Sequence, residues 1–336
     1  MSLDQAVKPS SSNNSNKSTF NLSQHMNELS LFVAIVVLYV VFTSTANGFL
    51  SFNNQINILR DAATIGIAAW AATLIIISGE IDVSVGPMVA FISVVLSFFL
   101  QWGVPTPLAF ALAIVVGALL GTIPGILRAY FDVPSFVGTL GLWSALRGTA
   151  LFVTDALPVS IGRNDMLDAL DRSVLGVPPA AIIMLVLFAV FAFVSRKTAF
   201  GRSVFAVGGN AHAAFLSGIP VAKIRVGLFA IAGAMAAISG ILLVSRLGSG
   251  NATAATGLEF DVIAAVVVGG TSLSGGRGSM LGTLLGVLVI TLIGNGLVLL
   301  GINPFFQQVV RGLIIVIAVL ANIQAIKRSM SRNKDR

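Results

Sequence analysis

The chain has 336 residues, of which 56% are hydrophobic and only 10% charged, and a mean hydropathy of +0.96, which excludes a water-soluble domain because so few charges cannot coat one. A formal charge of +7 raises nucleic acid as a partner, but the basic residues gather at the ends of apolar runs with no interleaved aromatics, so nucleic acid is excluded and membrane orientation accounts for them. The absence of cysteine excludes disulfides, thiolate metal sites and cysteine nucleophiles, and His25 and His212 lie too far apart for a zinc motif.

Residues 1–28 are polar and rich in Ser and Asn, with no basic start leading into an apolar core and a small-residue cleavage site. They read as a disordered cytoplasmic tail, not a cleaved signal. Residues 29–323 form a transmembrane domain, because runs close to the roughly 20 residues that cross a hydrocarbon core recur throughout. They lie near Leu31–Gly48, Ala62–Gly79, Pro87–Gln101, Pro107–Leu127, Phe136–Phe152, Pro179–Ser195, Ile224–Ser245, Phe260–Leu273, Met280–Leu300 and Pro304–Asn322. The expected fold class is all-α, a polytopic helical membrane protein with about ten transmembrane helices.

Even parity puts both ends on one side, and Lys and Arg choose it, since basic short loops resist translocation. Residues 324–336 form a basic tail with Lys327, Arg328, Arg332, Lys334 and Arg336, and the loop between the sixth and seventh spans holds Arg196, Lys197, Arg202, Lys223 and Arg225. Lys8, Lys17, Arg128 and Arg277 fall on the same side. The other side keeps Arg60, Arg163, Arg172 and Arg246 among Asp61, Asp155, Asp165, Asp168, Asp171 and Glu259. Both termini are therefore expected in the cytoplasm.

Two breaks share a plan: SGEIDVSVGPMVA after the second span and GGTSLSGGRGSMLG after the eighth each combine glycines, hydroxyls and a fresh helix. Duplicated transporter halves carry such interruptions at the substrate path, and glycine-rich stretches also resemble one another by composition; both readings stay open. Glu80, Asp82 and Ser84 stand in the first break. A charge at the bilayer centre costs about 2.5–3.5 kcal/mol, which a cytoplasmic turn avoids. Yet Gly79, Gly86 and Pro87 free backbone groups that only protein or a wet cavity satisfies at depth, which makes Glu80, Asp82 and Ser84 candidates for a translocation path.

The loop 196–223 is longer than a helical hairpin needs. Within it AHAAFLSGI follows Gly208, Gly209 and Asn210 and ends at Gly218 before Pro220, the pattern of a short capped helix with a glycine stop. It either lies on the membrane surface or receives a partner. No Gly-Lys dipeptide occurs, so there is no phosphate loop, and no G-x-S-x-G or H-E-x-x-H is present. The chain is expected not to be an enzyme and to hold no catalytic, cofactor or metal site of its own.

Within the spans, Arg147 requires a buried acid or carbonyl partner, whereas Arg311 is close enough to the outer end to snorkel. Asp261 opens a helix, where its charge suits the dipole. Asn295, Asn303, Gln307 and Gln308 are neutral amides in or near the last two spans. Interhelical hydrogen bonding is one role for them. Contact with a neutral, hydroxyl-rich solute is another, because an amide donates and accepts without a counter-charge, and Asn295 and Gln307 join the candidate path.

SGEIDVSVG, GGNAHAAFLSGI, LEFDVIAAVVVGGTSLSGGRGS and NPFFQQVVRGLIIVIAVLAN, in that order, resemble the ribose-type permease subunits of bacterial ABC carbohydrate importers, from about the first span to Asn322. The resemblance implies a multi-pass protein of the bacterial inner (cytoplasmic) membrane that pairs with a second permease copy or paralogue. It implies a periplasmic sugar-binding protein that delivers the cargo and a separate ATP-binding subunit that binds ATP and Mg. It also implies that Gly208, Gly209, Asn210, Ala214, Ser217, Gly218 and Ile219 form the loop that couples to the ATPase. Glu80 stands where such permeases commonly have Gly, and Pro220 where they have Asn. The alternative, from another class, is a proton-coupled secondary transporter that relays protons through Glu80 and Asp82.

Overall fold

A computed structural model describes residues 22–174 and 176–334. The first helices are α1 (Leu22–Thr45), α2 (Phe52–Ile77), α3 (Val85–Gln101), α4 (Thr106–Tyr130) and α5 (Ser135–Thr154). Strand β1 (Val159–Ser160) and α6 (Asp165–Asp171) lead into α7 (Pro179–Lys197), α8 (Ala199–Gly209), α9 (Ala211–Leu216) and α10 (Val221–Leu247). Strand β2 (Ser249–Gly250) then precedes α11 (Leu258–Val268), α12 (Met280–Leu299) and α13 (Pro304–Lys334). The antiparallel β1–β2 ladder and an isolated bridge between Val174 and Val177 are the departures from an all-helical fold among the described residues.

Each of the ten expected spans falls on a helix. Seven of these, α1, α2, α4, α5, α7, α10 and α12, are long and apolar enough to cross a membrane. The segments Val85–Gln101 and Pro304–Ile317 are shorter apolar helices. The 11 residues of α11 rise about 16 Å, half of a hydrocarbon core of about 30 Å. The protein is a polytopic helical membrane protein. Helix α1 begins at Leu22, inside the stretch expected to be a tail, and the backbone of α13 stays helical to Lys334; residues 1–21 and 335–336 lie outside the described residues.

Helix α2 is the axis of the bundle. From Ala62 to Ile77 nearly every position is Ala, Gly, Ile, Leu, Thr or Trp, and a helix apolar on all sides is one buried on all sides. Trp70 is fully buried among α2's neighbours, with its indole N–H donating to the Met184 carbonyl of α7 at 3.2 Å. Helices α4 and α10 approach closely because Gly117, Gly121 and Gly125 recur at four-residue spacing; a Cβ on Gly117 would lie 2.5 Å from the Gly233 carbonyl.

Two stretches of irregular backbone run inside this bundle. After α2 the chain runs without helix or strand through residues 80–84, and side chains of α5 take up two of its N–H groups: Ile81 donates to Ser135 Oγ at 3.1 Å and Val83 to Thr139 Oγ1 at 3.3 Å. After β2, residues 251–257 drop inward to start α11. There Asn251 N–H donates to Ser93 Oγ at 3.1 Å, and Arg147 Nη1 donates to the carbonyls of Ala252 and Ala254 at 2.5 and 2.9 Å. Non-helical backbone survives at such positions only when protein satisfies it. The two stretches meet where Gly86, at the start of α3, packs against the Ala255 carbonyl and the Glu259 carboxylate, leaving no room for a Cβ.

Candidate functional site

At one end of the bundle α2 and α11 stop, and the basic residues Arg196, Lys197, Arg202, Lys223, Arg225 and Arg277 fall in the adjoining loops and helix ends. This basic face holds the expected short helix. Asn210 caps α9 with its side-chain oxygen accepting from Ala213 N–H at 2.9 Å, and Gly218, at φ +83°, stops it. Ala214 is the buried residue of α9, while Phe215 is 66% and Leu216 72% exposed. Helix α8 is tied to the axis of the bundle, because a Cβ on Gly208 would overlap the Ile77 carbonyl at the end of α2. The same carbonyl accepts from Gly276 N–H at 2.8 Å, and Gly275 packs on Gly79. The two glycine-rich breaks singled out in the sequence are thus in contact, with α8 between them and the surface.

Glu80 lies in this junction. It is 4% exposed and gripped by two guanidiniums: Arg128 Nε of α4 donates to it at 2.9 Å, and Arg225 Nε of α10 lies 2.8 Å away but off the line of a hydrogen bond, making an ion pair. Asp82 is buried, and its Oδ1 accepts from Ser84 N–H at 2.8 Å and Ser84 Oγ at 2.6 Å, which turns the chain into α3. So Glu80, Asp82 and Ser84 hold the interruption in place through these contacts.

The polar residues expected in the spans find partners. Arg147 meets carbonyls, as its depth required. Arg311 does not snorkel: its Nε lies 3.3 Å from Asp261 Oδ1, so Asp261 both opens α11 and joins it to α13. Glu259 is corrected too. Expected at the outer face, it is 2% exposed inside the bundle, where Oε1 accepts the Trp143 indole N–H at 3.0 Å and Oε2 rests against Gly86 at the positive end of α3. Two other pairs of that face are partly exposed, Arg60 with Asp171 at 3.2 Å and Arg246 with Asp61 at 2.5 Å.

A cavity of about 510 Å³ opens at the end of the bundle opposite the basic face, between α2, α10, α11, α12 and α13. Asn295 and Gln307 line it. Asn295 exchanges two hydrogen bonds with Asn54, at 3.0 and 2.8 Å, and Gln307 Nε2 donates to the Ile302 carbonyl at 2.9 Å. The remaining wall was missed in the sequence. Asn54, Asn57, Asp61 and Thr64 follow the 3.6-residue period of a helix and present one polar stripe of α2 to the cavity. That spacing was the available signal, hidden because α2 begins at Phe52, ten residues before the apolar run at Ala62.

Residues 54–319 match the family described as branched-chain amino acid transport system / permease component. The chain belongs to this permease family. The permease is 70% identical over 308 residues to the probable ABC transporter permease protein YphD of Escherichia coli (strain K12), covering 92% of this chain and 93% of that one. It is 41% identical to the ribose import permease protein RbsC of Bacillus subtilis (strain 168), covering 88% and 92% of the two chains. It is 33% identical to the xylose transport system permease protein XylH of E. coli (strain K12), covering 89% and 92%. No solved structure matches it. The permease is a membrane component of an ABC transporter and not an enzyme.

Proposed function

We propose that the permease imports a sugar through the bacterial inner membrane, receiving it from a periplasmic sugar-binding protein and driven by a separate subunit that binds ATP and Mg. In this reading the chain crosses the membrane ten times, with α3, α11 and α13 as the short or interrupted crossings, and works beside a second permease copy or paralogue. The basic face and both termini are cytoplasmic. Two relatives are permeases for ribose and xylose, which supports a monosaccharide as the cargo.

The observation that carries the reading is α9. A water-facing helix that exposes Phe215 and Leu216 while its neighbour α8 is wedged at Gly208 against α2 has the build of a lever whose outer end a partner's groove covers. Gly208, Gly209, Asn210, Ala214, Ser217, Gly218 and Ile219 form that coupling element, and motion of the ATPase reaches the axis of the bundle through Gly208 and Ile77. Sugar enters past Asn295 and Gln307, while Glu80, Asp82 and Ser84 shape the interruption that the path skirts. The proton-coupled alternative is not supported, because two arginines neutralise Glu80 and Ser84 occupies Asp82.

Reconstitution with the ATP-binding subunit and the binding protein tests this directly. ATP-dependent sugar uptake is expected, and Gly218→Trp, which strains a left-handed position and disrupts the stop of α9, is expected to leave membrane insertion intact while ATP hydrolysis no longer drives uptake. Accumulation of sugar by the permease alone under a proton gradient, or normal uptake by the variant, would count against it.

A further inference from the structure

The cavity opposite the basic face is electrically closed upon itself. Its wall contains two arginines, Arg246 and Arg311, and two aspartates, Asp61 and Asp261, and each arginine is already held by one aspartate, at 2.5 and 3.3 Å. A guanidinium is the side chain that would seize a carboxylate or phosphate, but here neither is free to do so without breaking a pair. Between the pairs the polar lining is uncharged: Asn57, Asn295 and Gln307 supply amides and Thr64 a hydroxyl. At about 510 Å³ the space is of the size of a small-molecule pocket.

We infer that this cavity is a binding vestibule within the single permease chain that admits neutral monosaccharides and rejects sugar acids and sugar phosphates, the pairing of Arg311 by Asp261 and of Arg246 by Asp61 being what rejects them. The inference rests on the sugar-importer reading and adds a selectivity at the permease itself. A hydroxyl group bridges an Asp–Arg pair as donor to one and acceptor from the other, whereas an anion meets the aspartate's repulsion together with the arginine's attraction.

The test is competition by D-galacturonate, an anionic sugar, against uptake of the transported neutral sugar in proteoliposomes holding the complete importer. In the wild type a large excess of the acid is expected to leave uptake unchanged. Asp261→Asn strips Arg311 of its partner, so uptake, measured against the variant's own rate without acid, is expected to fall about tenfold when the acid is present. Adding Arg311→Gln to that variant is expected to abolish the inhibition. Asp61→Asn on the more exposed pair gives the same readout should the buried substitution unfold the protein. Galacturonate that leaves both single variants untouched, or that inhibits the wild type equally, overturns the selectivity while the importer reading stands. A complete importer that takes up no sugar removes the reading on which the selectivity rests.

Discussion

Glu80 balances two cations that have little other means of compensation. Arg128 and Arg225 come from α4 and α10, and their side chains are 26% and 14% exposed. The nearby Asp132 is 95% exposed and 3.7 Å from Arg128, too wet to replace Glu80. Removing the shared partner of a buried pair is costly because the remaining charge stays desolvated. Glu80→Gln is therefore expected to destabilise the folded protein by about 3 kcal/mol, and Arg128→Gln by clearly less, since Glu80 keeps Arg225. Thermal unfolding in detergent reads the order, and equal losses for both variants would mean that Arg128 is the partner that counts and that Arg225 adds little. The sequence marked Glu80 as an anomaly because an acid stood between apolar runs. It did not mark the partners, 48 and 145 positions further along, because one glutamate and two arginines far apart carry no periodicity that joins them.

At the scale of elements, the sequence was most informative where local chemistry decides the structure. Asn210 and Gly218 bracket α9 because an amide caps a helix start and a glycine tolerates the left-handed stop. It was least informative where packing decides. The polar run FNNQINILRD reads as a loop, yet it is the first part of α2, held helical by burial of one face and by the Asn54–Asn295 amide pair. The seat of α8 on α2 was equally hidden, since a glycine that must admit a carbonyl looks like any other glycine in a loop. Gly208→Ala is expected to push α8 off Ile77 at a cost of about 1–3 kcal/mol. The exposed face of α9 stays as it was, so the variant should still co-purify with the ATP-binding subunit while sugar uptake drops several-fold. Loss of co-purification in step with uptake would place Gly208 in the docking surface instead of the transmission.

At the scale of the whole molecule, the two interruptions, the α8–α9 lever and the cavity are ordered along one axis. The lever and both glycine-rich breaks sit at the basic end, Gly86 and Glu259 meet inside the bundle, and the cavity opens at the other end. Transport by alternating access needs such a disposition, because a partner shifts the balance between two states only through contacts that differ between them. The N-terminal end of α1 belongs to the basic end as well, with Ser279 Oγ donating to Glu28 at 3.1 Å. The chain offers a clean way to test the orientation, since it contains no cysteine. Ser217→Cys on the exposed end of α9 and Thr253→Cys on the exposed turn after β2 each introduce a single thiol. In intact cells a membrane-impermeant maleimide is expected to leave Cys at 217 unlabelled until the membrane is opened. At 253 the thiol is expected to react from outside without lysis. Labelling of position 217 in intact cells would turn the lever toward the wrong compartment for an ATPase, and the import mechanism proposed for this permease would have no motor.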